Sequence, residues 1–217
     1  MSVKVLILSI LILLSACRHE KGGEKKEVYL PASPADIAVN FDGKPVRGWQ
    51  VTNFGPQGPV SASGDEIILG MGDGCTGITW ISDFPTANYE VSLEARRVEG
   101  NDFFCGLTFP AGKEPCTLIV GGWGGTTVGL SSVDGLDASD NNTRLLMQFD
   151  KNKWYRIRLR VAERNIKAWI DSSLVVDFDI GNHKLSVRPE VYLSRPFGIA
   201  SWNTTAAIRN VQVISLK

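Results

Sequence analysis

Histidine is nearly missing from this chain, with His19 and His183 the only two in 217 residues. So few argue against a histidine triad or a histidine-rich metal centre. Excess charge is missing as well: 23 lysines and arginines offset 23 aspartates and glutamates, leaving no basic field to hold nucleic acid. No apolar run reaches the ~20 residues of a membrane-crossing helix, the stretch Val5 to Leu14 being ten residues long. No segment has the spacing of an amphipathic helix longer than a turn or two.

What is present begins with an export signal. Lys4 precedes the short apolar core, and Leu14-Ser15-Ala16-Cys17 resembles the lipobox of bacterial lipoproteins. That resemblance implies cleavage after residue 16, lipid on the Cys17 sulfur and attachment to a membrane. Arg18 in place of aspartate points to the outer membrane in a Gram-negative cell. An ordinary secretory signal with a chance cysteine is the alternative. Residues 17–35 are charged, contain Gly and Pro and lack apolar periodicity, as expected of a flexible tether. Residues 36–217 are expected to form one domain, and a 43% apolar content suffices for its core.

In that domain short alternating runs are punctuated by Gly, Asn and Asp. They predict strands at 67–70, 77–81, 89–98, 103–110, 116–123, 127–132, 144–149, 154–161, 166–171, 174–180, 198–202 and 207–216. Tyr155, Ile157, Leu159 and Val161 alternate with Arg156, Arg158 and Arg160, and Leu174, Val176, Phe178 and Ile180 alternate with Asp177 and Asp179. Each such strand has one dry and one wet side, which predicts an all-β, two-sheet antiparallel sandwich.

Asn40-Phe41-Asp42-Gly43-Lys44 with Gly48-Trp49 resembles the "LFDGK...GW" opening of the 3-keto-disaccharide hydrolase family, long catalogued as a domain of unknown function. Gly100-Asn101 with Gly106, and the strand pair Ala168 to Ile180, extend the resemblance over roughly residues 37–217. It implies a jelly roll of the concanavalin A-like lectin/glucanase type and cleavage of 3-keto-glycosides. A ketone at C3 of a sugar acidifies the proton at C2, so one base and one enolate-stabilising group suffice to expel the C1 oxygen before water adds.

Register suggests where those groups sit. Tyr89, Val91, Leu93 and Ala95 belong in the core, leaving Glu90, Ser92, Glu94 and Arg96 on the wet face. A three-residue loop, Gly100 to Asp102, would pair Arg96 with Gly106 and Glu94 with Thr108, keeping Cys105, Leu107 and Phe109 inside. A second hairpin around 111–114 then places Trp123 on the same wet face. Glu94 is thus the expected base, Arg96 or a divalent cation the stabiliser, and Asn101, Asp102, Thr108 and Trp123 the sugar-binding residues. Plainer readings stand beside these: Asn101 as a turn residue, Trp123 as an edge plug, Glu94 and Arg96 as a surface ion pair.

Other chemistries fit poorly. Glu90 and Glu94 lie about 13 Å apart along the strand, too far for the carboxylate pairs of ordinary glycosidases, and the E-x-D-x-x-E motif of jelly-roll glucanases is absent. Gly72 to Gly77 matches G-x-G-x-x-G yet leads into a strand, so no nucleotide site is expected. Asp134, Asp137, Asp140, Asn141 and Asn142 form an oxygen-rich loop in which Asp137, Asp140 and Asn141 are candidate calcium ligands, although the spacing matches no EF-hand. Cys75, Cys105 and Cys116 carry no evident disulfide. The competing function is a non-catalytic, lectin-like carbohydrate-binding module; a third is a structural surface protein.

Overall fold

Alternation along Tyr155–Val161 translates directly into burial: Tyr155, Ile157, Leu159 and Val161 are buried, while Arg156 and Arg160 are exposed and Arg158 is half-covered. The computed structural model describes residues 28–29, 49–63 and 66–216. The expected signal peptide, lipidation at Cys17, most of the tether and the Asn40 to Gly48 motif lie outside them.

Fifteen strands are described: β1 (Val28–Tyr29), β2 (Trp49–Val51), β3 (Val60–Ser63), β4 (Glu66–Leu69), β5 (Cys75–Trp80), β6 (Tyr89–Gly100), β7 (Cys105–Ala111), β8 (Glu114–Gly122), β9 (Thr127–Ser131), β10 (Leu145–Leu146), β11 (Tyr155–Val161), β12 (Asn165–Ile170), β13 (Ser173–Asp179), β14 (Phe197–Trp202) and β15 (Thr204–Ser215). One sheet runs β13-β12-β11-β6-β15-β4-β3 with β1 on β15, and the other runs β10-β9-β8-β7-β14-β5-β2. A short 3-10 helix, Pro189–Ser194, is the only helix among the described residues. All twelve expected strands are present; β1, β2 and β3 were not anticipated, and β1 falls inside the expected tether.

The two sheets face each other in a jelly-roll sandwich. Tyr89, Val91, Leu93, Ala95, Ile157 and Leu159 from the first meet Leu107, Phe109, Leu118, Val120, Leu130 and Ile199 from the second, each at most 1% exposed. Burying one such aliphatic or aromatic side chain stabilises the fold by roughly 1.5–3 kcal/mol. The Tyr89 hydroxyl crosses between the sheets to donate to the Pro110 carbonyl at 2.6 Å.

The expected hairpin of β6 with β7 does not form. Glu94 stands opposite Arg156 and Arg209, and Arg96 opposite Ala207, in the first sheet. Gly106 stands opposite Ile119 and Ala200, and Thr108 opposite Thr117 and Gly198, in the second. The chain therefore crosses from one sheet to the other between Gly100 and Cys105. Alternation specifies which face of a strand is dry, and two facing sheets satisfy it as well as two neighbouring strands do. The β7–β8 hairpin does form with the expected faces, closing at Ala111↔Glu114.

A bulge between Ala168 and Trp169 shifts the β12–β13 register, so Val175 and Val176 are both buried and Leu174 is 49% exposed. Leu107→Ala is accordingly expected to lower unfolding stability by about 2–5 kcal/mol, and Leu174→Ala by no more than about 0.5 kcal/mol. Urea melts of the two variants check this, and equal losses would contradict the observed register.

Candidate functional site

Glu94 and Arg96 sit on the outer face of the first sheet, each committed to another partner. The Glu94 carboxylate accepts from Arg209 Nε at 2.7 Å and from Asn210 Nδ2 at 3.2 Å, and the Arg209 bond holds its pKa below the usual value. Arg96 Nη2 donates to Glu66 at 2.8 Å. Arg96 and Arg209 both lie over the Trp154 ring, at 4.7 and 4.1 Å. Nearby, Glu90 pairs with Arg160 at 2.7 Å and Arg158 stacks on Trp169 at 4.0 Å. Trp123 and Thr108 belong to the other sheet, so the shared wet face expected from the sequence does not exist.

The outer face of the second sheet is built differently. Gly77, Gly106, Gly198 and Ala200 project little or nothing from it, and Thr108 and Thr117 bond hydroxyl to hydroxyl at 3.0 Å, both fully buried. Over these small residues lies the 189–194 segment, held by Thr79 Oγ1 donating to the Leu193 carbonyl at 3.0 Å. Val191, Cys75, Phe103, Ile119, Ala138 and Ala200 form a second apolar cluster there. Beside it a pocket of about 220 Å³ stays open, lined by Asp102, Phe103, Thr117, Ile119, Trp123, Ser131, Arg188, Glu190, Val191 and Trp202. It is below the ~300 Å³ of drug-sized pockets.

Charge in the pocket is organised around Arg188. The guanidinium grips Glu190 twice, Nη2 to Oε1 at 2.8 Å and Nε to Oε2 at 3.2 Å, and its Nη1 donates to Asp137. Asp137 also accepts from the Ser131 and Ser132 hydroxyls at 3.3 and 3.2 Å. The hydrogen bond from Arg188 holds Glu190 below its ordinary value of 4.5, and the same contact raises Arg188. Glu190 is thus ionised near neutrality.

Across the pocket, Asp102 Oδ1 accepts the Phe103 N–H at 2.7 Å, while Oδ2 has only a 3.5 Å approach from the Gly124 N–H. Trp123 is 39% exposed at the head of a left-handed turn, with φ of 46° and glycines at 124 and 125. Trp202 is half-buried and tilted against Phe103, with ring centres 6.5 Å apart. Two indoles, a carboxylate with one nearly free oxygen and an arginine–carboxylate pair therefore share one opening.

Of the sequence candidates, Asp102 and Trp123 line this pocket. Asn101 is exposed in the adjoining turn and does not line it, and Thr108 is sealed behind Thr117. The oxygen-rich loop disperses its groups: Asp137 turns to Arg188, Asp140 accepts from the Ser139 hydroxyl, and the Asn141 amide donates to the Leu130 and Leu136 carbonyls. Among the described residues no group of three or more His, Cys, Asp or Glu is arranged to hold a metal ion.

Arg188, Glu190, Phe103 and Trp202 were not anticipated as site residues. The one sequence signal was Arg188-Pro189-Glu190, a charged pair around a proline in a segment with no strand pattern. Cys75, Cys105 and Cys116 are free and buried, and burial pushes each thiol up to about 12, too high for ready thiolate chemistry.

Residues 37–214 match the family described as a 3-keto-alpha-glucoside-1,2-lyase-like domain. No curated protein matches the chain. Among solved structures, the carbohydrate binding module CBM66 from Bacillus subtilis is similar at a TM-score of 0.53 and 19% identity, covering 76% of this chain and 94% of that one. A Crh5 transglycosylase in complex with NAG is similar at 0.54 and 15%, covering 88% and 87%. Domain 4 of AbnA, an extracellular arabinanase from Geobacillus stearothermophilus, is similar at 0.51 and 15%, covering 77% and 82%. At these identities the likenesses establish the shared jelly-roll fold.

The Arg188–Glu190 pair makes a signed pH prediction. A carboxyl whose folded pKa is depressed adds stability above its ordinary 4.5 and loses it as pH falls through the folded value. The melting-temperature gap between wild type and Glu190→Gln is expected to be full at about pH 7 and to shrink progressively as pH falls below 4.5. A gap constant over that range would contradict the pairing.

Proposed function

The chain belongs to the 3-keto-alpha-glucoside-1,2-lyase-like family, and on that footing we propose that this carbohydrate-active domain cleaves 3-keto-glycosides in the pocket between Trp123 and Trp202. The observation that carries the reading is the meeting of Asp102, Arg188 and two indoles in one opening. The roles first given to Glu94 and Arg96 pass to Asp102 and Arg188, because the former pair is tied up on the opposite sheet.

The apolar C–H faces of a sugar ring stack on the indoles. Arg188 directs at the ketone oxygen the N–H groups left over from Glu190 and Asp137, two of its five. Asp102 Oδ2 takes the C2 proton; the C2–H electrons form the C2=C3 enolate, whose negative oxygen Arg188 stabilises. Collapse of the enolate re-forms the ketone, creates a C1=C2 double bond and breaks the C1–O bond, and the departing oxygen takes the proton that Asp102 removed, restoring the carboxylate. Addition of water across the double bond completes a net hydrolysis.

A second reading has its own observation. Arg188 is already neutralised by Glu190 and Asp137, and a pocket so balanced can bind a sugar without reacting; the domain would then be a lectin-like carbohydrate-binding module.

Turnover of a 3-keto-glucoside separates the two. Asp102→Asn is expected to reduce kcat by about 10²–10⁴-fold, Trp123→Ala to raise KM, and Glu94→Gln to leave both within about twofold. Saturable binding of unmodified glycans with no turnover by the wild type supports the module instead. Full activity in Asp102→Asn would sink its role as base.

The reading includes export and lipid anchoring through Cys17, supported by the Leu14-Ser15-Ala16-Cys17 sequence. Cys17→Ser is expected to move the protein from the membrane fraction to the soluble one and to abolish incorporation of labelled fatty acid. Unchanged fractionation and labelling would refute the anchor.

A further inference from the structure

Arg97 stands where the alternation of β6 demands a core residue. Tyr89, Val91, Leu93 and Ala95 precede it on the inward face, and Arg97 itself is 6% exposed. Burying a guanidinium is costly unless its donors find acceptors. Here the acceptors are main-chain carbonyls: Nη2 lies 2.9 Å from the Gly125 oxygen and 3.2 Å from those of Asp102 and Gly121. The face of the guanidinium lies 5.3 Å from the Phe104 ring. Nε has no hydrogen-bond partner among the described residues, so this placement is not optimal for the arginine alone.

Those carbonyls belong to two separate segments. One is the crossover after β6, which carries Asp102; the other is the end of β8 and the turn after it, which carries Trp123. Their direct links are the Phe104 N–H to Val120 carbonyl bond at 3.3 Å, at the base of the crossover, and the long Gly124 N–H to Asp102 approach of 3.5 Å at its tip. Glycine at 121 and 125 makes room for the arginine, since an added Cβ would lie 2.7 and 3.2 Å from its Nη2. Both glycines also have positive φ, of 78° and 99°. A cation rooted in the first sheet thus reaches across the core to hold two rims of a pocket on the second.

We propose that Arg97 is a positioning residue that clamps the Asp102 crossover to the Trp123 turn and so fixes the spacing of carboxylate and indole across the pocket. Its consequence for turnover rests on the function proposed above; the clamp itself does not. Lysine retains the charge, but its ammonium ends one covalent bond short of the Nη2 position on which the three carbonyls converge. Methionine retains only an apolar stem.

The test compares Arg97→Lys and Arg97→Met with wild type after circular dichroism and a cooperative melt confirm folding; Arg97→Lys carries the test if the methionine variant does not fold. Hydrogen exchange by mass spectrometry is read on residues 101–104 and 121–126, with β11 as internal reference. Exchange in both rim segments is expected to quicken about tenfold or more while β11 is unchanged. On a 3-keto-glucoside, kcat/KM is expected to fall on the order of 100-fold, with KM rising through Trp123 and kcat falling through Asp102, and less in lysine than in methionine. Unchanged exchange in either rim, or a uniform rise that includes β11, overturns the clamp. Loosened rims with undiminished turnover uphold the clamp and remove the pocket from the chemistry.

Discussion

The site depends on one sheet face whose positions at 77, 106, 198 and 200 carry a methyl group or no side chain at all. A Cβ at Gly198 would come within 2.6 Å of the Ser194 carbonyl, and one at Gly106 within 2.9 Å of the Phe103 ring. Because those atoms are missing, the 189–194 segment and Phe103 lie directly on the second sheet. Val191 is thereby anchored in the outer apolar cluster, and its neighbours Arg188 and Glu190 are delivered to the pocket edge. Larger residues at those positions would lift the segment away and disperse the charged groups.

The two outer faces of the sandwich treat their indoles and carboxylates in opposite ways. On the first, arginines of β6, β11 and β15 interleave with glutamates of β4 and β6 and with Trp154 and Trp169, so that Arg96, Arg158, Arg160 and Arg209 each meet a carboxylate or an indole. Such partly exposed pairs contribute up to about 1 kcal/mol each and leave little unsatisfied capacity. On the second, the indoles of Trp123 and Trp202 are not covered by arginine, and Asp102 keeps one oxygen nearly free. The difference lies both in the small residues of the second face and in what its polar groups are paired with.

Arg97 connects the halves. Its side chain leaves β6 on the core side, and its carbonyl acceptors all lie around the pocket, so the packing of the first sheet is coupled to the geometry of the second. The Tyr89 hydroxyl bond to Pro110 makes a similar crossing at the other end of β6. One strand thus joins both sheets at both of its ends.

Local alternation along the chain was enough to determine twelve strands, the inward faces of β6, β7, β8 and β11 and the sandwich class, because a period of two is written residue by residue; the family was legible only through the resemblance carried by Asn40 to Trp49 and its companion motifs. It also marked Asp102 and Trp123, through a turn and a tryptophan in a glycine-rich stretch. Which sheet each strand joins was decided only by the tertiary structure, since an inward face is equally dry whether its partner lies beside it or opposite. That ambiguity separated Glu94 from Trp123 by the full thickness of the sandwich. The same non-local step brought Arg188, Glu190 and Trp202 to Asp102 from about a hundred residues away, a proximity no local pattern encodes.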